Sequence, residues 1–198
     1  EFYRFGHVED FRGIIGLRYA LVPYLYSEFV KAAMRDDMMF LPLAFVYPKD
    51  QEAAVVEDQL MVGESVMIAP VYRQNARGRY VYLPEDMKLY RFRSSEDVDI
   101  EVLRAGHHYV KAELNEVLVF VRPNHVVPLA GGGCCVADVD MSRLRLLHFV
   151  TDQAEYELYD DDGYGKKIDL ESGITKVRVT VDGKVDAEGA LEAEWTLF

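Results

Sequence analysis

Cysteine is scarce in this sequence of 198 residues, which has only Cys134 and Cys135, next to each other. Adjacent residues hold their Cα atoms about 3.8 Å apart, closer than the roughly 4.4–6.8 Å of ordinary disulfides. The pair therefore excludes a disulfide framework, and its spacing is not that of a zinc site. Two unpaired thiols, together with the lack of a signal peptide, predict a cytoplasmic protein.

Long apolar runs and an excess of positive charge are lacking too. No apolar run reaches the roughly 18 residues of a membrane-spanning helix. The 22 Lys and Arg residues face 34 Asp and Glu residues, which gives a net charge of −12. Nucleic acids and anionic membrane surfaces both attract proteins with basic surface patches. The charge balance therefore argues against both as partners.

Aromatic residues, in contrast, are plentiful. The chain has 13 Tyr and 10 Phe, which favour β-rich structure or a surface that handles sugars. The single tryptophan, Trp195, lies in an alternating segment near the C-terminus. Core packing in a final strand and stacking on a sugar both fit it, and core packing is favoured because large aromatic side chains are mostly buried.

The N-terminal region predicts one long helix. Apolar residues recur every three or four positions over residues 11–34, after a plausible N-cap at Asp10. The pattern is apolar around most of the circumference, so this helix is expected to need neighbours that the short N-terminal region does not supply. Pro23 lies inside it and is expected to kink it or to remove one backbone hydrogen bond.

The pattern changes within Glu57–Val71, where Gly63 and Glu64 predict a turn before a buried strand. Strands dominate from there onward, and their regular spacing predicts a β-sandwich. A glycine run at residues 131–133 predicts a linker. The predicted strands are Val66–Val71, Gly78–Leu83, Lys88–Phe92, Ile100–Leu103, His108–Leu114, Val117–Arg122, Leu144–Val150, Ala154–Asp160, Ile174–Val181 and Leu191–Leu197.

Five segments, in this order, resemble glycoside hydrolase family 31, the α-glucosidase and α-xylosidase family. They are LRYALVPYLYS (17–27), EDQLMVGESVMIAPV (57–71), VYLP (81–84), FVRPNHVVPL (120–129) and LYDDDG (158–163). The chain departs from the family at Pro123-Asn124, where a small residue and a glycine are usual. Asn tolerates a positive φ, so the turn is expected to survive.

The resemblance implies the C-terminal third of a larger enzyme, and a mainly β fold. Residues 1–58 are then the end of a (β/α)8 barrel, residues 59–130 a proximal antiparallel β-sandwich, and residues 131–198 a smaller distal β domain. The start at Glu1 rather than at a methionine also predicts a processed chain or a piece of a longer one.

The same resemblance implies where the chemistry lies. The family's nucleophile and acid/base are aspartates of the middle barrel strands, upstream of this chain. The chain is therefore expected to hold no catalytic, cofactor-binding or metal-binding residue and to need no cofactor. Its implied partners are the rest of the parent chain and, through the barrel, an oligosaccharide substrate, and a homo-oligomer is left open.

Several polar groups have a functional and a structural interpretation. Asp160–Gly163 invites a calcium site, but Tyr164 stands where an EF-hand loop needs a ligand, so a turn is favoured. His107 and His108 are expected on opposite faces of a strand and not on one metal. Glu57-Asp58 is expected to cap and to form a salt bridge, and His7 has a small chance of contacting a sugar.

Two other functions remain open. An autonomous carbohydrate-binding or interaction module would require an exposed row of aromatic side chains on one sheet face, and would leave the apolar helix unexplained. A complete small enzyme would require a working acidic pair within this chain.

Overall fold

The computed structural model describes residue 4, residues 6–131, residue 133, residues 135–165 and residues 168–198. Strands hold 41% of the residues and helices 22%, so the predicted mainly β class is confirmed. In the ranges described, no helix is long and apolar enough to cross a membrane. The barrel origin of residues 1–58 stays a prediction.

Two helices stand where the sequence predicts one. α1 spans Val8–Ala20 and α2 spans Val22–Arg35. The break falls at Leu21, because Pro23 lies in the first turn of α2, where its missing N–H removes no helical hydrogen bond. α2 ends at Asp36, whose backbone is left-handed with φ 54°. The interruption predicted at the proline is confirmed.

The remaining elements are short. The other α-helices are α3 (Leu43–Val46) and α4 (Leu170–Gly173). The strands are β1 (Phe40–Pro42), β2 (Leu60–Val62), β3 (Val66–Ile68), β4 (Gly78–Leu83), β5 (Met87–Phe92), β6 (Val98–Leu103), β7 (Gly106–Lys111), β8 (Val117–Val121), β9 (His125–Gly131), β10 (Asp140–Phe149), β11 (Gln153–Tyr159), β12 (Ile174–Thr180), β13 (Val185–Gly189) and β14 (Glu194–Leu197). Every predicted strand overlaps one of these, whereas β1, β2, β9 and β13 have no predicted counterpart.

The chain divides into two compact units. The first comprises the described residues up to Arg18 together with Phe40–Arg122, and the second comprises Tyr19–Met39 together with Pro123–Phe198. Each unit therefore draws on two separate stretches of the chain. The predicted three-domain division, with boundaries after residues 58 and 130, does not follow these units and stays a prediction.

The first unit is a β-sandwich. Its larger sheet has the order β1-β2-β3-β8-β5-β6, and the antiparallel pair β4–β7 forms a separate sheet. Val81 and Val110 of the pair belong to the same buried cluster as Met67, Leu89 and Phe120 of the larger sheet. The inner face of β4–β7 thus closes the core, and its outer face is left to solvent.

The hairpin β2–β3 forms from the stretch at which the sequence pattern changes. Met61 pairs with Met67, and Gly63 turns the chain with φ 60°, so the predicted turn is confirmed. β3 ends at Ile68, earlier than predicted. Pro70 follows closely and has no N–H to donate to a sheet neighbour, which explains the early end.

The second unit contains two three-stranded sheets, ordered β14-β10-β9 and β11-β12-β13. α2 packs against β9 and β11 and buries Tyr24 and Val30. The expectation that the helix needs neighbours outside the N-terminal region is confirmed for this face, because strands distant in sequence supply them. Phe29 and Met34 of α2 nevertheless stay 56% and 47% exposed.

Asn124 sustains the turn before β9. Its φ is 61°, so the prediction that asparagine supports a positive φ here is confirmed. Its Oδ1 accepts hydrogen bonds from the Thr151 N–H (2.9 Å), the Thr151 hydroxyl (3.0 Å) and the Asp152 N–H (3.0 Å). The side chain therefore joins this turn to the loop after β10.

Arg93 organises the turn between β5 and β6. Its guanidinium binds Asp97 through two hydrogen bonds, of 2.6 and 2.9 Å, and Asp99 through one of 2.8 Å. The hydrogen bonds from Arg93 lower the pKa of both carboxyls. Both carboxylates therefore stabilise the fold at neutral pH, and this contribution is lost as the pH falls through their folded pKa values.

We expect Arg93→Gln to raise the pKa of Asp97 and of Asp99 toward the ordinary value of about 3.9. The check is a carbon-13 NMR titration of the side-chain carboxyls. Arg104→Gln is the matched control, since Arg104 binds Asp86 (2.6 Å) and contacts neither of the other two. Unchanged titration of Asp97 and Asp99 in Arg93→Gln would contradict the assignment.

Candidate functional site

The structure places the two histidines of β7 against different partners. His107 Nε2 lies 3.4 Å from a Glu52 carboxylate oxygen, and its ring centroid is 4.9 Å from that of Tyr82. His108 Nε2 lies 2.7 Å from the Arg104 carbonyl oxygen. Each imidazole therefore has its own partner, and the two do not converge on one ligand.

In the acidic segment Asp160–Gly163, carboxylates accept hydrogen bonds from backbone N–H groups of the same loop. Asp161 accepts from the Gly163 N–H (2.8 Å) and Asp162 from the Tyr164 N–H (3.0 Å), which are local turns, as the sequence predicts. The Tyr26 hydroxyl donates to Asp161 at 2.7 Å. Burial, and then this hydrogen bond, raise the pKa of Tyr26 to about 12, and the same bond lowers the pKa of Asp161.

Asp58 forms the ion pair that was predicted for its segment. A carboxylate oxygen lies 2.6 Å from Arg79 Nη2, and Asp58 also accepts from the Tyr72 hydroxyl at 3.2 Å. Arg79 Nη1 donates to the carbonyls of Asp58 (2.9 Å) and Pro70 (2.8 Å). This guanidinium therefore ties β4 to the segments on either side of the β2–β3 hairpin, while Glu57 is exposed.

The other residues singled out by the sequence are dispersed. His7 is exposed, with Nδ1 3.2 Å from Asp10, and that it makes no contact with a sugar stays a prediction. Cys135 is exposed, and Cys134 lies outside the described residues. Trp195 is half-buried on the final strand, β14, and its packing in the core stays a prediction.

Metal sites in proteins are built mainly from His, Cys, Asp and Glu side chains. In the described part of the chain, no group of three or more of them is placed to hold a metal ion. That the chain contributes no catalytic, cofactor-binding or metal-binding residue stays a prediction.

Glu85 joins three segments of the first unit. It accepts from the Tyr47 hydroxyl (2.5 Å) and from Arg122 Nε (2.6 Å). Arg122 Nη1 also donates to the Glu64 carbonyl at 3.0 Å. Burial, and then the bond to Glu85, raise the pKa of Tyr47 well above its ordinary value. These bonds fasten the segment after α3 to the sandwich.

Aromatic rings line the outward face of the β4–β7 pair. Tyr80 pairs with Tyr109 across the strands, and Tyr82 pairs with His107. The first two ring centroids are 5.2 Å apart in an edge-to-face arrangement. Tyr72, on the loop after β3, borders the same cavities as Tyr80. We call these five residues the aromatic face.

The backbone explains why these rings stand close together. The Tyr82 N–H donates to Gln59 Oε1 (2.8 Å) and the Tyr82 carbonyl accepts from Gln59 Nε2 (2.7 Å). Because both backbone groups point away from β7, Tyr82 and its partner His107 form a non-hydrogen-bonded pair, the type whose side chains approach more closely. Tyr80, two residues earlier, has the same orientation, and its carbonyl accepts from Arg79 Nε (3.0 Å).

Two cavities adjoin the aromatic face. One of about 310 Å³ is lined by Tyr80, Tyr109 and Arg79, and one of about 370 Å³ by Tyr82, His107 and Val56. Three residues line both: Asp58, Tyr72 and Tyr80. Tyr80 is 75% exposed, Tyr72 63% and Tyr109 52%, so their rings are accessible from solvent.

A larger cavity of about 810 Å³ lies between the loop after β3 and the loop before β8. Its two carboxylates are engaged: Glu113 pairs with Arg77 at 3.4 Å, and Glu116 pairs with Arg93 at 3.2 Å. The aromatic face is the better candidate site, because it presents exposed rings beside two cavities.

Sequence reasoning did not single out the aromatic face, although part of the signal is present. Tyr80 and Tyr82 alternate along β4, and His107 and Tyr109 alternate along β7, which is the spacing of side chains on one face. Only the register that opposes Tyr80 to Tyr109 assembles the rings, and it is fixed by contacts distant in sequence.

Comparison with known proteins gives a consistent result. Residues 36–127 match the glycosyl hydrolase family 31 C-terminal domain. An alpha-glucosidase 2 from Bacillus thermoamyloliquefaciens is 28% identical over 92% of this chain and 24% of its own length. An alpha-xylosidase from Saccharolobus solfataricus is 31% identical over 75% of this chain and 20% of its own.

Among solved structures, a family 31 dextranase from Flavobacterium johnsoniae has a TM-score of 0.72 and 25% identity, over 87% of this chain and 21% of that one. The chain spans between 11% and 24% of the length of the first curated relatives that it matches. The similarity therefore covers a C-terminal portion of much longer proteins.

Proposed function

Because this chain belongs to glycosyl hydrolase family 31 through its C-terminal domain, we propose that it is the non-catalytic C-terminal segment of a retaining α-glycosidase. The observation that carries the proposal is the match of residues 36–127 to that domain, in a chain spanning at most 24% of the relatives' length. The parent enzyme cleaves terminal α-linked glucose from oligosaccharides. The printed activities of the relatives, an α-glucosidase and an α-xylosidase, support this substrate class.

The proposed parent enzyme retains the configuration of the anomeric carbon, which requires two successive displacements. One carboxylate attacks the anomeric carbon while a protonated carboxyl, about 5 Å away, donates a proton to the leaving oxygen, and water then resolves the covalent intermediate. Both groups belong to barrel strands upstream of this chain. No cofactor takes part.

The role of this segment is to support the catalytic barrel. Exposed apolar side chains on both units favour that role, because large apolar side chains left in solvent commonly mark an interface. Phe40 and Phe45 of the first unit are 53% and 62% exposed, and Phe29 of the second unit is 56% exposed. These residues are the proposed contacts with the rest of the parent chain.

The net charge of the chain and the Cys135 thiol bear on its other partners and on its compartment. A net charge of −12 argues against nucleic acid and anionic membranes as partners. Cys135 is an exposed free thiol, which supports a reducing, cytoplasmic compartment. A homo-oligomer of the parent is compatible with the exposed apolar side chains.

Activity assays test the proposal directly. We expect the natural polypeptide that contains this stretch to be much larger than the 22.7 kDa of this chain and to hydrolyse p-nitrophenyl α-glucoside. Proton NMR of the products is expected to show the α-anomer first. The chain expressed alone is expected to be inactive, and activity in it would instead support a complete small enzyme.

An autonomous carbohydrate-binding module is the second candidate, because the aromatic face provides the exposed row of rings that it requires. The packing of α2 within the second unit also gives part of that helix a partner inside this chain. A natural polypeptide no larger than this chain, with saccharide affinity and no hydrolysis, would favour it.

A further inference from the structure

We infer that the aromatic face is a binding surface for a neutral saccharide chain. The inference assigns a ligand to this segment, which the supporting role proposed above does not do. It rests on four observations: the packing of the rings, their exposure, the adjoining cavities and the polar groups at the edge.

Tyr80 and Tyr109 are exposed and lie outside the core, whereas Tyr82 is partly buried and packs against it. Val81 and Leu83 of β4, and Val110 of β7, point inward and are almost fully buried. Tyr80, Tyr82 and their partners point outward on the same two strands, because side chains alternate between the faces. An exposed cluster of large rings on the outer side of a sandwich is therefore available to a ligand.

The spacing of the rings suits a chain of sugars. The Tyr80 and Tyr109 rings lie 5.2 Å apart, and the Tyr82 and His107 rings lie 4.9 Å apart. The two pairs follow each other about 7 Å along β4. The face of an aromatic ring carries negative partial charge, which attracts the C–H groups on the flat face of a pyranose. Successive rings thus offer successive stacking positions.

Polar groups at the edge match sugar hydroxyls. Asp58 lines both cavities, and its carboxylate, which already binds Arg79 and the Tyr72 hydroxyl, has further lone pairs that can accept from a sugar hydroxyl. Asp50 accepts from the Tyr82 hydroxyl at 2.7 Å, and Glu52 lies against His107, so both hold rings of the face in place. The carboxylates of Asp50, Glu52 and Asp58 outnumber the two guanidinium groups of the cavity lining, Arg73 and Arg79, and this excess of negative charge disfavours an anionic ligand such as a phosphate or a nucleic acid. A neutral polyhydroxylated ligand is the class that fits.

The test uses the full natural polypeptide with Tyr80→Ala and Tyr109→Ala combined. Binding is measured by isothermal titration calorimetry with maltoheptaose, and by electrophoresis in native gels containing soluble starch or dextran, both with a saturating active-site inhibitor that prevents hydrolysis and binding at the catalytic centre. We expect a loss of affinity on the order of tenfold, since one of the two ring pairs is removed. Hydrolysis of p-nitrophenyl α-glucoside and the melting temperature are expected to stay unchanged.

Two matched variants complete the design. Tyr164→Ala removes a tyrosine that is 92% exposed in the second unit and is expected to leave binding unchanged. Tyr80→Phe with Tyr109→Phe keeps both rings and is expected to keep most of the affinity.

Three results would overturn the inference. They are unchanged affinity in the double alanine variant, an equal loss in Tyr164→Ala, and a melting temperature that falls in the double alanine variant only. The last would show that another part of the parent chain covers these rings. A polypeptide that binds maltoheptaose through these tyrosines but does not hydrolyse α-glucosides would refute the proposed function and leave the inference standing.

Discussion

Lys31→Met is expected to lower the free energy of unfolding of the second unit by about 3–5 kcal/mol, because it leaves a buried carboxylate without its cation. Lys31 Nζ lies 2.6 Å from Glu28 Oε1, and the two side chains are only 10% and 5% exposed. The ammonium also lies 4.2 Å from the centroid of the Tyr156 ring, so the substitution removes a cation–π contact as well.

Tyr156 makes this pair part of a larger buried network. Its hydroxyl donates to Glu28 Oε1 at 2.8 Å, and its ring lies 5.6 Å from that of Tyr24. Burial raises the pKa of Tyr156 well above its ordinary value, and the Glu28 charge raises it further. The phenol therefore stays protonated and keeps donating in Lys31→Met, but one neutral hydrogen bond does not replace an ammonium.

Urea unfolding followed by the fluorescence of Trp195, the only tryptophan, reports on this unit. The matched control is Lys184→Met, since Lys184 Nζ lies 3.0 Å from an Asp186 carboxylate oxygen in the same unit but the two side chains are 67% and 60% exposed. That variant is expected to change stability by less than about 1 kcal/mol. The double variant Lys31→Met with Glu28→Gln is expected to recover much of the loss. Equal effects of Lys31→Met and Lys184→Met would contradict the buried-charge argument.

This network shows what the sequence could not predict. The apolar periodicity of residues 11–34 predicts a buried helix, and the buried face of α2 does contain Tyr24 and Val30. The same face also buries Glu28 and Lys31, because Tyr156, a residue from the far end of the chain, supplies their partner. Burial of a charged pair depends on such distant contacts, which local pattern does not encode.

Features that depend on neighbouring residues alone, in contrast, could be predicted from the sequence. The alternation in Gly78–Leu83 predicts β4 with the bounds that the structure has, and the tolerance of Asn124 for a positive φ is a property of asparagine itself. The short strands β1 and β2, of three residues each, give too few positions for periodicity to show. The aromatic face lies between these cases, since its alternation is local and its cross-strand pairing is not.

Gln59→Leu is expected to lower the free energy of unfolding of the first unit by about 2–5 kcal/mol, since each backbone group left buried and unpaired costs about 1–3 kcal/mol. The Gln59 side chain is 2% exposed and forms hydrogen bonds with both the N–H and the carbonyl of Tyr82. It thus replaces a neighbouring strand at the free edge of β4. Chemical unfolding of the variant measures the loss, and hydrogen exchange at the Tyr82 amide is expected to accelerate.

Gln59→Glu distinguishes the contributions of the two hydrogen bonds between residue 59 and Tyr82. The glutamate still accepts from the Tyr82 N–H, but its second oxygen faces the Tyr82 carbonyl, and it can donate there only when it is protonated. The folded state therefore raises the pKa of this carboxyl, and the stability that the proton provides is lost as the pH rises through that value. We expect Gln59→Glu to be destabilised at pH 7 and to recover part of the loss near pH 5, whereas Gln59→Leu shows no such recovery. Parallel pH profiles for the two variants would mean that the Tyr82 carbonyl does not depend on a donor from residue 59.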